Sequence, residues 1–211
     1  MFAIAAAVAA LALVSAVAQP GAGRAVKIVA LGDSLTAGLG LPADATFPVR
    51  LQRALGQKNI GAEVVNAGVS GDTTADGLAR LDWSVPDDTG AVILELGAND
   101  ALRGLDPGQT RGNLDAILRR LTARKLPVLL AGMRAPPNMG ADYAKAFDAI
   151  YPALAAAYPV VFYPFFLDGV AGERGLNQGD GLHPTAAGVD VIVVKILPKV
   201  EELAVRTRAT H

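Results

Sequence analysis

Short apolar runs recur at residues 27–31, 63–67, 91–96, 127–132 and 160–163, and the stretches between them carry a helical period. The runs are Leu-rich or β-branched and mostly lack polar alternation, as in Ala91-Val92-Ile93-Leu94. Strands of that kind are buried on both faces, which happens in a parallel sheet covered by helices. Residues 47–55 place Phe47, Leu51, Ala54 and Leu55 at helical spacing, and 110–123 do so with Leu114, Ile117, Leu118 and Leu121. An Ala-rich stretch at 143–158 and a closing one at 184–203 complete the pattern. Strict strand–helix alternation predicts an α/β class: a doubly wound three-layer α/β/α sandwich around a five-stranded parallel sheet. The 211 residues suffice for one such domain with a full core, and no repeat, heptad or second domain is visible.

The first residues differ from the rest. Residues 2–18 are apolar without a charged side chain, and Ala16-Val17-Ala18 has the small-x-small form of a signal-peptidase site. The stretch is short and Ala-rich for a membrane span. No Lys or Arg precedes it, unlike an ordinary export signal. The expectation is a signal peptide at 1–18 and a linker at 19–25, with the main folded domain at 26–205 and a tail at 206–211. That implies an exported protein, periplasmic or secreted, with no stable membrane span after processing. An uncleaved anchor and an ordinary buried helix are the competing readings of the segment.

A serine follows the first strand, in Gly32-Asp33-Ser34-Leu35. Open α/β sheets bind ligands in the crevice outside the carboxyl ends of their strands. Ser34 there is a candidate nucleophile, and a serine nucleophile needs a base. The chain has two histidines. His211 is terminal, where chains are poorly ordered as a rule. His183, in Asp180-Gly181-Leu182-His183-Pro184, is therefore the partner expected for Ser34. Asp180 is one turn earlier and can fix the imidazole tautomer. Asp33, Glu95 and Asp100 are rival acids near other strand ends, but nothing ties them to His183. Donors for an oxyanion have two sources, Gly71 after the second strand and Asn99 in Gly97-Ala98-Asn99-Asp100 after the third.

These four segments resemble the blocks that define the SGNH hydrolase superfamily, the GDSL esterases and lipases. Ser34, Gly71, Asn99 and His183 appear in the family's order. The resemblance spans residues 26 to about 203 and points, within the family, to the bacterial thioesterase I / lysophospholipase L1 / arylesterase group. Ser70-Gly71-Asp72-Thr73-Thr74 and Gly77-Leu78-Ala79-Arg80-Leu81 fit that group, as do Arg134-Ala135-Pro136-Pro137-Asn138-Met139-Gly140 and Tyr163-Pro164-Phe165-Phe166. Ala98 departs from it, where relatives more often carry a second glycine. The resemblance implies a flavodoxin-like fold and a serine esterase acting on carboxylic esters or acyl thioesters through an acyl-enzyme. Ser34 would be nucleophile, His183 base and acid, and Asp180 the orienting carboxylate. Ser34 N–H, Gly71 N–H and the Asn99 amide would form the oxyanion hole. The apolar loop at 133–140, with Met133, Pro136, Pro137 and Met139, is a candidate acyl-chain wall. A carbohydrate O-acetyl esterase and a non-catalytic exported binding domain are the alternatives.

Other chemistries find little support. Cysteine is absent, so thiolate metal sites, disulfides and a cysteine nucleophile are excluded. With two histidines the supply of metal ligands is poor, and no cofactor is expected. A net charge of −1 with no Lys/Arg run argues against nucleic acid as a partner. Gly38-Leu39-Gly40-Leu41-Pro42-Ala43 imitates a dinucleotide fingerprint but begins well after its strand ends and is interrupted by Pro42. Gly68-Val69-Ser70-Gly71 is one residue too short for a nucleophile elbow.

Overall fold

A computed structural model describes residues 25–208. The expected export segment at 1–18 lies outside these residues, as do most of the linker and His211. The strands are β1 (Val26–Gly32), β2 (Ala62–Gly68), β3 (Ala91–Glu95), β4 (Val128–Ala131) and β5 (Val161–Tyr163). All neighbours run parallel, in the order β2-β1-β3-β4-β5. This is the flavodoxin-like order, with its topological switch beside β1. The apolar runs are buried as their composition requires. Ile28, Val29 and Leu31 of β1, Val92, Ile93 and Leu94 of β3, and Leu129 and Leu130 of β4 all have 0% exposure.

Helices cover both faces. On one, α2 (Phe47–Gln57) packs against β2 and against the long closing helix α9 (Ala186–Arg208), which also contacts β3, β4 and β5. On the other lie α6 (Pro107–Ala123), α7 (Ala141–Asp148) and α8 (Ile150–Ala157). Helix α6 starts on Asp106, whose side chain accepts from Gln109 N–H, with Pro107 at the first helical position. The stretch at 143–158 is two helices rather than one. Pro152 has no N–H to give the carbonyl of Asp148, and α7 ends at that residue. Helix α9 continues through Pro198 and ends at Arg208, beyond the expected stop at 203.

Four short helices sit at strand ends: α1 (Ser34–Ala37), α3 (Thr74–Ala79), α4 (Leu81–Ser84) and α5 (Ala98–Leu102). They position the site through the register of the sheet. Gly32 pairs with Gly68 on one side and with Glu95 on the other. The residues following β1, β2 and β3 therefore leave the sheet at one level, which brings Ser34, Gly71 and Asn99 to a common crevice.

Candidate active site

Gly32 ends β1 where Thr36 Oγ1 and the Glu95 carboxyl fill the space that a Cβ would take. Asp33 then caps α1, its Oδ1 accepting from Leu35 N–H at 2.9 Å. Ser34 is the first residue of α1 and is 7% exposed. Its Oγ lies 2.9 Å from His183 Nε2. His183 Nδ1 lies 2.6 Å from Asp180 Oδ2. With its proton on Nδ1 facing the carboxylate, the imidazole offers the Nε2 lone pair to the serine hydroxyl. This arrangement can withdraw the Ser34 proton as Oγ attacks a carbonyl.

The Asp180–His183 turn is locally closed. Asp180 Oδ1 accepts from Leu182 N–H at 2.9 Å and His183 N–H at 3.0 Å, while Gly181 takes φ +71°, open to glycine at no steric cost. The His183 N–H, the His183 ring and the Leu182 N–H, in that order, hold the Asp180 carboxyl down at about 2. Gln178 joins the turn to the serine side. Its N–H donates to His183 O at 2.7 Å, and its amide nitrogen donates to Leu39 O at 2.8 Å and Pro184 O at 2.9 Å.

On the opposite side, Asn99 Nδ2 donates to Asp33 Oδ2 at 3.1 Å and to Asp72 O at 2.9 Å. An amide nitrogen has two protons, so a substrate oxyanion would draw on donors that already have acceptors. Gly71 takes φ +89° in the adjoining loop, and its carbonyl accepts from Arg103 Nη2 at 2.7 Å. Beneath lie two carboxyls with 0% exposure, Asp33 and Glu95. Burial pushes Asp33 up to about 6, opposed by the Leu35 N–H, the His183 charge and the Asn99 amide. Burial, reinforced by the Asp33 charge, raises Glu95 well above the carboxylate range. Glu95 Oε2 accepts from Thr36 Oγ1 at 2.6 Å.

The rival acids bond elsewhere than His183. Asp33 and Glu95 support the serine strand end, and Asp100 accepts from Thr74 N–H at 2.8 Å and from the Thr74 and Thr110 hydroxyls. Asp100 thus fastens α5 to α3 and α6. Sequence reasoning missed Gln178, whose bond to Leu39 spans 139 residues, and the Asp33–Asn99 pair, 66 residues apart. In the 133–140 loop, Met133 is 3% exposed and belongs to the core. Pro136, Pro137 and Met139 are more open, and Met139 Cε lies close to Gly104 in the turn after α5. Leu39, Val69, Leu102 and Leu182 are exposed apolar residues that flank the four blocks. Among the described residues no group of three or more His, Cys, Asp or Glu is arranged to hold a metal ion.

Residues 30–191 match the model of the GDSL-like Lipase/Acylhydrolase family. The chain is 39% identical over 180 residues to Esterase TesA of Pseudomonas aeruginosa, covering 85% of this chain and 90% of the relative. It is 42% identical over 164 residues to Thioesterase 1/protease 1/lysophospholipase L1 of Escherichia coli K12, covering 77% of each. Among solved structures, AlinE4, an SGNH-hydrolase family esterase, superposes with a TM-score of 0.74 at 48% identity, covering 86% of this chain and 98% of that one.

Proposed function

We propose, for a chain that belongs to the GDSL-like lipase/acylhydrolase family and is an ester hydrolase, that Ser34 is its nucleophile. The observation that carries the proposal is the relay from Ser34 Oγ to His183 Nε2 at 2.9 Å and from His183 Nδ1 to Asp180 at 2.6 Å. His183 takes the hydroxyl proton as Oγ bonds to the substrate carbonyl carbon. The developing oxyanion is met by Ser34 N–H, Gly71 N–H and the Asn99 amide. The tetrahedral adduct collapses, and the leaving alcohol or thiol departs with the proton held by His183. Water then gives a proton to His183 and attacks the acyl-Ser34 carbonyl. The carboxylic acid is released and the Ser34 hydroxyl restored. Asp180 is held ionised far below neutral pH, so it can stabilise the imidazolium across the working range.

The substrates that fit are carboxylic esters and acyl thioesters with an apolar acyl group. The exposed Leu39, Val69, Leu102 and Leu182 support this, with Pro136, Pro137 and Met139 as the further wall. Relatives named esterase, arylesterase and thioesterase point the same way. The test is fluorophosphonate labelling of the purified protein with a chain-length series of p-nitrophenyl esters and acyl-CoAs. Labelling confined to Ser34 and faster turnover on longer acyl chains than on acetylated sugars are expected. Labelling elsewhere removes Ser34 from the mechanism, and a preference for acetylated sugars overturns the substrate reading.

The apolar segment at 2–18 and its Ala16-Val17-Ala18 site further support export. Among the described residues no helix is long and apolar enough to cross a membrane. Amino-terminal sequencing of the protein from a fractionated host should then start near Gln19. A cytoplasmic protein retaining the segment overturns this.

A further inference from the structure

We propose that Arg80 is a positioning residue that holds the oxyanion hole in its donor geometry, an inference resting on the reading of Gly71 and Asn99 as donors. Arg80 follows α3 and is 7% exposed. Burying a guanidinium is costly unless each N–H finds an acceptor. Here Nε donates to Asp72 Oδ2 at 2.6 Å, Nη1 to Ala67 O at 2.8 Å and Ser84 Oγ at 3.0 Å, and Nη2 to Gly32 O at 2.7 Å. Gly32 O ends β1 two residues before Ser34, and Ala67 O lies near the end of β2. Asp72 adjoins Gly71. One planar group therefore ties the nucleophile strand, the neighbouring strand and the Gly71 loop together.

The bonds form a closed path through the Asn99 donor. From Gly32 O it runs through Arg80 to the Asp72 side chain. The Asp72 carbonyl accepts from Asn99 Nδ2, which also donates to Asp33, the residue after Gly32. If Asp72 shifts, Gly71 N–H and Asn99 Nδ2 move with it. Lysine can replace this group only in part, because a compact ammonium lacks the fork that reaches acceptors in several directions. A misplacement of about 1 Å at such a site costs on the order of 100-fold in rate.

The experiment compares Arg80→Met and Arg80→Lys with Ser34→Ala and Asn99→Ala. It measures kcat and KM on a p-nitrophenyl ester, the thermal midpoint, and affinity for an alkyl trifluoromethyl ketone. That ketone adds to a serine as a hemiketal whose oxyanion reports on the hole. In folded Arg80→Met, kcat should fall about 10- to 100-fold with KM within about twofold. Ketone affinity should fall by the same factor as kcat/KM, with Arg80→Lys intermediate. In the Asn99→Ala background the Arg80→Met loss should shrink to a few-fold, since the two act as one unit. Wild-type kcat in folded Arg80→Met overturns the proposal. So does a loss that persists in full without Asn99 or leaves ketone affinity unchanged. If Arg80→Met does not fold, Arg80→Lys and Asp72→Asn carry the same comparisons. Turnover retained by Ser34→Ala would instead sink the reading of the site itself.

Discussion

Ser34 and Asn99 stand above buried polar groups, whereas Asp180 and His183 stand on a turn that meets solvent. Asp33 and Glu95 have 0% exposure, while the Asp180 side chain is 45% exposed. The buried side is assembled from distant segments: Asn99 and Asp33 are 66 residues apart, and Arg80 and Gly32 are 48 apart. The three bonds that Asp180 accepts all come from residues two or three positions away. The difference matches the demands that the proposed roles place on each half. Oxyanion donors are worth most when fixed in a site that excludes water. A base must exchange protons with leaving groups and water, and its orientation needs only a local turn.

The largest effect should come from the residue where the halves meet. Ser34→Ala is expected to lower kcat about 10⁴- to 10⁶-fold while leaving the urea midpoint unchanged. Esterase assays with near-wild-type turnover would break the comparison at its root. Asn99→Ala, on the buried side alone, should cost about 100- to 1,000-fold in kcat, or roughly 2.7–4 kcal/mol. A loss of only a few-fold would remove Asn99 from the hole and leave its Asp33 and Asp72 contacts as scaffolding.

How much of this was legible follows the same division. That Ser34, Asp180 and His183 come together was legible because the histidine choice was nearly forced and Asp180 lies one turn away. The five strands were legible because unbroken apolar runs are a local signal. Helices α1, α3, α4 and α5 were not, being too short to show a hydrophobic period. Pro152 did signal the break between α7 and α8, but the Ala-rich run around it masked that signal. Arg80 lay within a stretch that fitted the family, with nothing to mark its role. Its partners Gly32, Ala67 and Asp72 converge on it only after β1 and β2 pair in register. Met133 is 3% exposed and packs in the core, while Pro136, Pro137 and Met139 of the same loop are more open.

Two glycines sharpen the contrast in stability. Gly32 faces Thr36 and Glu95 at van der Waals overlap with any added Cβ, whereas Gly181 at φ +71° has nothing within 4 Å of that position. Gly32→Ala should therefore cost about 3 kcal/mol through overpacking and loss of the Thr36–Glu95 bond. Gly181→Ala should cost about 1 kcal/mol from left-handed strain alone. Urea titrations of both variants give the ratio. Equal losses would mean that the His183 turn is as interlocked as the strand end, contrary to the comparison.

The smallest effect concerns the charge state of the buried side, and its sign is what tests it. Glu95 Oε2 accepts from Thr36 Oγ1 and, at 3.4 Å, from Asp33 N–H. Burial raises the folded pKa of this carboxyl well above the ordinary 4.5. A raised pKa contributes stability in full below the unfolded value, and the contribution is lost as pH climbs toward the folded value. Glu95→Gln keeps one oxygen for Thr36 and Asp33 but cannot ionise. Its new amide protons add a fixed offset, so the informative quantity is how its stability gap from wild type changes with pH. Between pH 5 and pH 9 that gap should move in favour of Glu95→Gln. Thermal midpoints across that range measure it. A gap that moves the other way would mean Glu95 is ionised and stabilising, so that Ser34 stands over a charge rather than over a neutral, desolvated acid.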